Sequence, residues 1–255
     1  MIHFVGAGPG APDLITLRGA KLLREADVVI WAGSLVNPAL LDNCKAECEI
    51  FDSSRMTLDE VLAVMERAES EGKTTVRLHT GDPSLYGALR EQLDALRERG
   101  VDFDVTPGVS SLFGAAAALG AEFTLPGVSQ TLILTRMAGR TPVPEAERLS
   151  KLAAHGSSMA IFLSAGMLDG VQAELLKGAY TPDTPAAIVY KATWPDERVC
   201  RCTVGTLAET GRHEGITKTA LLLIGGFLVG DYERSRLYAP DFSTEFRTAI
   251  GEEQS

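Results

Sequence analysis

IHFVGAGPGAPD, residues 2–13, is an apolar, β-prone run that breaks into a turn of glycines and prolines before a helical pattern begins. The same succession recurs at TTVRLHTGDPSLYG, residues 74–87, and at VDFDVTPGVSS, residues 101–111. Strand, tight turn and helix in repetition predict a parallel α/β sheet, because parallel neighbours need a long crossover and a helix supplies it. At the carboxyl edge of such a sheet, the backbone N–H groups freed at strand ends and helix starts face one crevice, where ligands collect. Three such edges in the first half of the chain predict one shared site.

Working outward, the strand runs are IHFVGA, ADVVIWAG, AECEIF, TTVRLHT and VDFDVT, with helical stretches at 15–25, 37–43, 58–70 and 85–99 between them. Thr57 stands three residues before Glu60, the spacing of a capping box, and Val61, Leu62, Met65 and Ala68 follow with helical period. Ser110 or Ser111 is a natural N-cap for LFGAAAALG, and Gly100 closes the helix ending in LRER. Beyond Gly120 the rhythm changes. AEFTLPGVSQ reads as a connector, followed by strands TLILTR, SMAIFLSA, PAAIVYKA, RVCRCTV and ALLLIGGFLV and by helices at 149–155 and 168–177. VYKATWPDERVCRCTV reads as a hairpin or meander with Pro195–Asp196 in its turn. The expected architecture is an α/β domain over 1–118 with a parallel sheet, a second α/β domain over 119–239 with a mixed sheet, and a polar, frayed tail over 240–255.

With 255 residues, 45% of them hydrophobic, the chain can bury a full core as one large domain or two compact ones. It has no run of about 18 apolar residues, and MIHFVGAGPG lacks the basic start of a signal peptide, so a cytoplasmic protein without a membrane partner is expected. A net charge of −10 argues against a nucleic-acid partner, which would demand a cationic surface. Four cysteines are too few for a disulfide scaffold. Neither Cys44/Cys48 nor Cys200/Cys202 has C-x-x-C spacing, so plain thiols and no metal are expected.

Residues 6–11, GAGPGA, satisfy the loose dinucleotide pattern G-x-G-x-x-G/A, yet the acidic partner for a ribose is missing where the second strand ends in Ile30-Trp31-Ala32-Gly33. Pro9 and Pro12 also remove two N–H donors that a pyrophosphate would use. Asp82 puts an acceptor beside a glycine at the crevice, suited to an ammonium or hydroxyl; the other reading is an N-cap for a helix starting at Ser84. No nucleophile relay is visible. His3 and His79 lie on apolar strands, His155 and His213 near exposed ends, and no Ser or Cys occupies a G-x-S-x-G elbow. A reaction that needs only alignment with an already activated donor fits such a site better than hydrolysis.

GAGPGAPDLIT, TGDPSLYGAL, TPGVSSLFGAAA and the C-terminal TALLLIGG, in this order and at these separations, closely resemble the tetrapyrrole methyltransferases of cobalamin and sirohaem biosynthesis, over residues 2–238. The resemblance implies two α/β domains with the methyl donor S-adenosylmethionine folded into the cleft between them, and a homodimer. Carried over by motif, it places Pro9 at the floor, Gly81, Asp82 and Leu85 at the amino-acid and sulfonium end of the donor, and Ser110 and Ser111 on the third turn. From the second domain, Met137, Ala165, Tyr190, Thr219 and Ala220 are expected around the adenine and ribose. ADVVIWAGSLVNPALL, FDSSRMTLDEV, TRMAGRTPVPE and VYKATWPDERV look like the branch that methylates C11 of precorrin-4 or its cobalt form, with TRMAGRTPVPE the most discriminating. Such an acceptor carries acetate and propionate arms, so an acidic chain must gather cations where it binds. Arg136 and Arg140 are the first candidates, then Arg55, Lys191 and Lys218; the alternative for the two arginines is solvation or an ion pair with Glu145 or Glu147. Two rival readings are a nicotinamide oxidoreductase, from the glycine pattern, and a sensor that binds an adenosyl ligand but no acceptor.

Overall fold

The structure, a computed structural model, describes residues 1–250. Its first sheet has five strands, β1 (Ile2–Gly6), β2 (Val28–Trp31), β3 (Glu49–Asp52), β4 (Thr75–His79) and β5 (Phe103–Thr106), in the order β3-β2-β4-β1-β5. Every pairing is parallel. The crossovers include α1 (Leu17–Glu25), α2 (Leu58–Ser70) and α3 (Leu89–Glu98), and α4 (Ser111–Leu119) follows β5. Both faces of the sheet are covered, which is why its strands are apolar at successive positions and not at alternate ones. Ile2, Phe4, Val28 and Ile30 pack on Val61, Leu62, Met65 and Ala68 of α2 and Leu93 and Leu96 of α3. Val5, Val29, Val76 and Leu78 pack on the opposite face with Leu23 of α1.

Local signals in the sequence produce the expected ends. Thr57 and Glu60 exchange both bonds of the capping box, and α2 occupies the span its periodicity predicts. Ser110, not Ser111, caps α4 by accepting from the Leu112 N–H, and Gly120 ends that helix at φ 60°. Two stretches differ. Residues 38–43 form a 3-10 turn, with Pro38 inside it, and α3 begins at Leu89 and not near Leu85, because Tyr86 and Ala88 adopt left-handed backbone.

The second sheet holds β6 (Leu132–Arg136), β7 (Ser158–Phe162), β8 (Pro185–Tyr190), β9 (Arg198–Thr203) and β10 (Ala220–Ile224), in the order β6-β7-β10-β8-β9. β6 runs parallel to β7 and β10 antiparallel to it, so this sheet is mixed, as expected. Its helices are α5 (Leu149–Ala153), α6 (Leu168–Leu175) and α7 (Leu207–His213). α7 escapes the sequence reading because LAETGRH is short and buries only Leu207, Ala208 and Gly211. Residues 237–247 are tied by one side chain: the Arg247 guanidinium donates to the carbonyls of Leu237, Ala239 and Phe242. No helix among the described residues is long and apolar enough to cross a membrane.

Contacts divide the chain into two units. The first comprises Met1–Gly120, Val189–Cys200 and Ile216–Leu221, and the second Ala121–Ile188, Arg201–Gly215 and the chain from Leu222. Tyr190 and Thr219 therefore belong to the first unit, although they follow residue 118 by a long way.

Candidate functional site

β1 lies between β4 and β5, so the three glycine turns leave the sheet side by side. Their backbones touch. A Cβ built on Gly6 would fall 2.5 Å from the Gly108 Cα, and one built on Gly108 would fall 2.1 Å from the Gly81 oxygen. Gly8 and Gly81 exchange backbone hydrogen bonds, at 3.2 Å from the Gly8 N–H and 3.0 Å from the Gly81 N–H, and the Ala7 N–H donates to the His79 carbonyl at 2.7 Å. Gly81 takes φ 58°, a conformation that side chains rarely adopt. The shared corner predicted from sequence is thus built of main chain at van der Waals distance.

Asp82 closes this corner. Its Oδ2 accepts from the Gly108 N–H at 2.9 Å, and its Oδ1 accepts from the Ser84 N–H at 2.9 Å and from the Ser84 hydroxyl. It caps no helix, since α3 starts at Leu89; it forms a local Asx turn and staples the second turn to the third. Three of about four carboxylate acceptor sites are used, which leaves one for a ligand cation or hydroxyl. Burial pushes the Asp82 carboxyl up, but the bonds from Ser84 and Gly108 outweigh it and hold the group below the usual carboxylate range. A depressed folded-state value means that this stabilisation is complete above about pH 4, the unfolded carboxylate's range, and is lost as pH falls through the folded value. The expected result is a thermal midpoint that declines more steeply in the natural chain than in D82N as pH falls below about 4, the unfolded carboxylate's value, through the lower folded one, as measured by calorimetry. Parallel declines would remove Asp82 from the acid response.

A segment far along the chain, itself part of the first unit, packs on this corner. The Ala11 N–H donates to the Thr193 Oγ1 at 2.9 Å, and the Asn37 Nδ2 donates to the Gly10 carbonyl at 2.9 Å. A Cβ on Gly10 would fall 2.1 Å from the Trp194 Cδ1, so the indole fills the space that a side chain there would need. Neither Thr193 nor Trp194 was singled out by the sequence reading. The signal within it was ATWPDE standing in an otherwise strand-forming hairpin.

The other sequence candidates are distributed as follows. Pro9 is buried against α4, where a Cβ on Gly114 would meet it at 3.0 Å. Ser110 is buried, while Leu85 and Ser111 are half-buried. Tyr190, Thr219 and Ala220 are half-buried, and the Thr219 carbonyl accepts from the Lys191 N–H at 2.9 Å. In the second unit, Ala165 is buried and the Met137 N–H donates to the Ser164 Oγ at 3.0 Å. Among the cations, Lys191 is already engaged: its ammonium bonds Asp196 at 2.7 Å and lies over the rings of Tyr190 and Trp194. Arg136 donates to the carbonyls of Thr141 and Pro142 at 3.2 and 2.6 Å and so pins the loop that contains Arg140. Glu145 pairs with Arg148 and Lys151 and not with either candidate arginine. Arg140, Arg55 and Lys218 are exposed.

The buried histidine is held in its neutral form. His79 sits on β4 beside Arg77, and burial, reinforced by that guanidinium, lowers it to about 3, so the ring is neutral. Arg77 donates to Gln92 Oε1 at 3.1 Å and to the Ile30 carbonyl at 3.2 Å, and desolvation lowers it to about 10. Among the described residues no group of three or more His, Cys, Asp and Glu is placed to hold a metal ion.

Comparison with known proteins identifies the family. The family model described as Tetrapyrrole (Corrin/Porphyrin) Methylases matches residues 1–208. The chain is 53% identical to a cobalt-precorrin-4 C(11)-methyltransferase of Methanocaldococcus jannaschii, covering 96% of this chain and 95% of that one. It is 46% identical to a precorrin-4 C(11)-methyltransferase of a Sinorhizobium species, covering 96% and 98%. The crystal structure of a cobalt precorrin-4 methyltransferase of cobalamin biosynthesis superposes with a TM-score of 0.88 at 48% identity, covering 90% and 96%. A uroporphyrin-III C-methyltransferase from Thermus thermophilus, solved with S-adenosylhomocysteine, superposes with a TM-score of 0.75 at 26% identity, covering 89% and 98%. A five-stranded parallel sheet, a mixed second sheet, glycine turns in mutual contact and this extent of similarity leave one conclusion: the chain belongs to the tetrapyrrole methylases.

Proposed function

We propose that the chain transfers a methyl group from S-adenosylmethionine to C11 of precorrin-4 in cobalamin biosynthesis, giving precorrin-5 and S-adenosylhomocysteine. The observation that carries the reading is the corner of Gly6, Gly81 and Gly108, a sheet edge of main chain with one open carboxylate acceptor site and, among the described residues around it, no nucleophile relay. Glycine at these positions lets the three turns close on one another at the carboxyl edge of the parallel sheet, where such sheets bind ligands, and the open site on Asp82 suits the ammonium of the donor's amino-acid end. A sulfonium supplies an already electrophilic methyl. The C–S bond breaks with its electron pair left on sulfur, which becomes a neutral thioether, the C–C bond forms from the acceptor's electron pair, and the acceptor, now carrying the positive charge, releases a proton. The chain's own task is to hold both partners in line at about 3–3.5 Å and to exclude water, which is worth roughly 7–11 kcal/mol of barrier. The donor assignment rests on Pro9, Gly81, Asp82, Leu85, Ser110 and Ser111 with Tyr190, Thr219 and Ala220. A homodimer in the cytoplasm completes the proposal.

For the acceptor's carboxylates the geometry separates two arginines. Arg136 is spent on its own loop, and Arg140 stands exposed on it. The expected result is that Arg140→Ala raises the acceptor KM about five- to tenfold, the value of one charge-assisted contact, with S-adenosylhomocysteine affinity unchanged. Equal losses for both ligands would remove Arg140 from the acceptor site. The proposal itself is tested by incubating the protein with labelled donor and, separately, metal-free precorrin-4 and cobalt-precorrin-4, with carbon NMR to locate the new methyl. Relatives of both names resemble the chain closely, and this assay separates the two acceptors. Donor binding without turnover of either would indicate a sensor.

A further inference from the structure

Three residues that are not glycine hold left-handed backbone in one region of the first unit: Lys191 at φ 47°, Thr193 at φ 68° and Thr219 at φ 55°. Two of them are β-branched, for which this conformation is a steric outlier. Such strain persists only where the surroundings over-determine it, and it gathers at ligand clamps. Here the restraints are on view. The Lys191 N–H donates to the Thr219 carbonyl at 2.9 Å, the Thr193 N–H donates to the Glu197 carboxylate, and the Lys191 ammonium bonds Asp196.

The strained loop has one outward consequence. It delivers the Thr193 hydroxyl to the Ala11 N–H, 182 residues away in sequence. Its methyl lies on the other side, against α4, where a Cβ on Gly114 would come within 3.1 Å of it. Thr193 thus sits between the first glycine turn and the helix that follows the third. The neighbouring Trp194 fills the cradle at Gly10.

We infer that Thr193 is a positioning residue for the donor pocket: its hydroxyl holds the Ala11 amide and thereby fixes the backbone path from Pro9 to Ala11. The inference rests on the donor reading given above. Thr193 acts through that backbone and not by touching the donor. A half-buried amide that loses its acceptor is penalised by enough to change affinity about tenfold.

The test compares T193V, which keeps the branched shape and drops the hydroxyl, with T193S, which keeps the hydroxyl and drops the methyl. S-adenosylhomocysteine binding is read by calorimetry and thermal midpoints by scanning calorimetry. Expected are about tenfold weaker binding in T193V, natural affinity in T193S, and in turnover a raised donor KM with kcat preserved at saturating donor. If T193V does not fold, T193A makes the same comparison with a smaller side chain. Natural affinity in T193V, or equal loss in T193V and T193S, overturns the inference. A fall in midpoint with affinity intact also overturns it, since it would mark a purely structural threonine. Should the natural chain itself fail to bind S-adenosylhomocysteine, the donor reading is what fails, a result distinguishable from any of these.

Discussion

Gly108→Ala is expected to lower the thermal midpoint by roughly 6–12 °C and to abolish measurable S-adenosylhomocysteine binding, an overpacking cost of about 3 kcal/mol. The added methyl would lie 2.1 Å from the Gly81 oxygen and 2.7 Å from the Gly6 Cα. Both are backbone atoms, so no rotamer change relieves the contact, and separating them means separating the ends of β1, β4 and β5. Gly81→Ala is the matched control. Its Cβ would have space, with nothing nearer than 3.5 Å, so the cost is that of left-handed backbone alone, about 1 kcal/mol. Scanning calorimetry of the two variants decides the matter: equal losses would mean that close approach of the three turns is not what glycine provides at position 108.

Gly10→Ala is expected to weaken S-adenosylhomocysteine binding by about tenfold or more, and the double variant G10A/W194A to recover most of that loss. The difference from the previous case is the identity of the obstructing atoms. At Gly10 the two closest are the Trp194 Cδ1 and Nε1, at 2.1 and 2.4 Å, and only the Ala192 carbonyl oxygen at 2.9 Å is main chain. Removing the indole removes the worst of the clash. The expected signature is therefore non-additivity, with a coupling of about 1–3 kcal/mol between two residues that are distant in sequence and in contact in space. W194A alone also releases Lys191 from one of its two aromatic faces, so its own effect is measured separately. Additive losses would show that the indole does not occupy the cradle in solution.

Both predictions concern contacts that no reading of adjacent residues could supply. The capping box of α2 was legible because Thr57 and Glu60 bond within one turn of chain. The cap of α4 was narrowed to two serines for the same reason, and the N–H of Leu112 chose Ser110. The start of α3 was misplaced by four residues because the turn before it winds through left-handed Tyr86 and Ala88, and neither residue type announces that conformation. At Gly87 a Cβ would strike the Pro83 carbonyl at 2.3 Å, a constraint visible only once the turn is closed.

The candidate site divides along the same line. Its location was legible, since three strand–turn–helix junctions in a parallel sheet open on one edge. The role of Asp82 was not. Its partner Gly108 lies 26 residues on, and only the placing of β1 between β4 and β5 brings the two together. Arg136 and Arg140 looked equivalent in TRMAGRTPVPE, yet one guanidinium curls back on the loop's carbonyls and the other is left exposed.

By itself, then, the sequence determined the strands, most helices, the parallel and mixed character of the two sheets and the family, because periodicity, caps and glycine turns are written in interactions that span a few residues. The tertiary structure alone decided the strand order, the stapling of turn to turn by Asp82 and the seating of Thr193 and Trp194 on the first glycine loop. These depend on which segments of chain the packed sheet brings within bonding distance, and that information belongs to the fold as a whole.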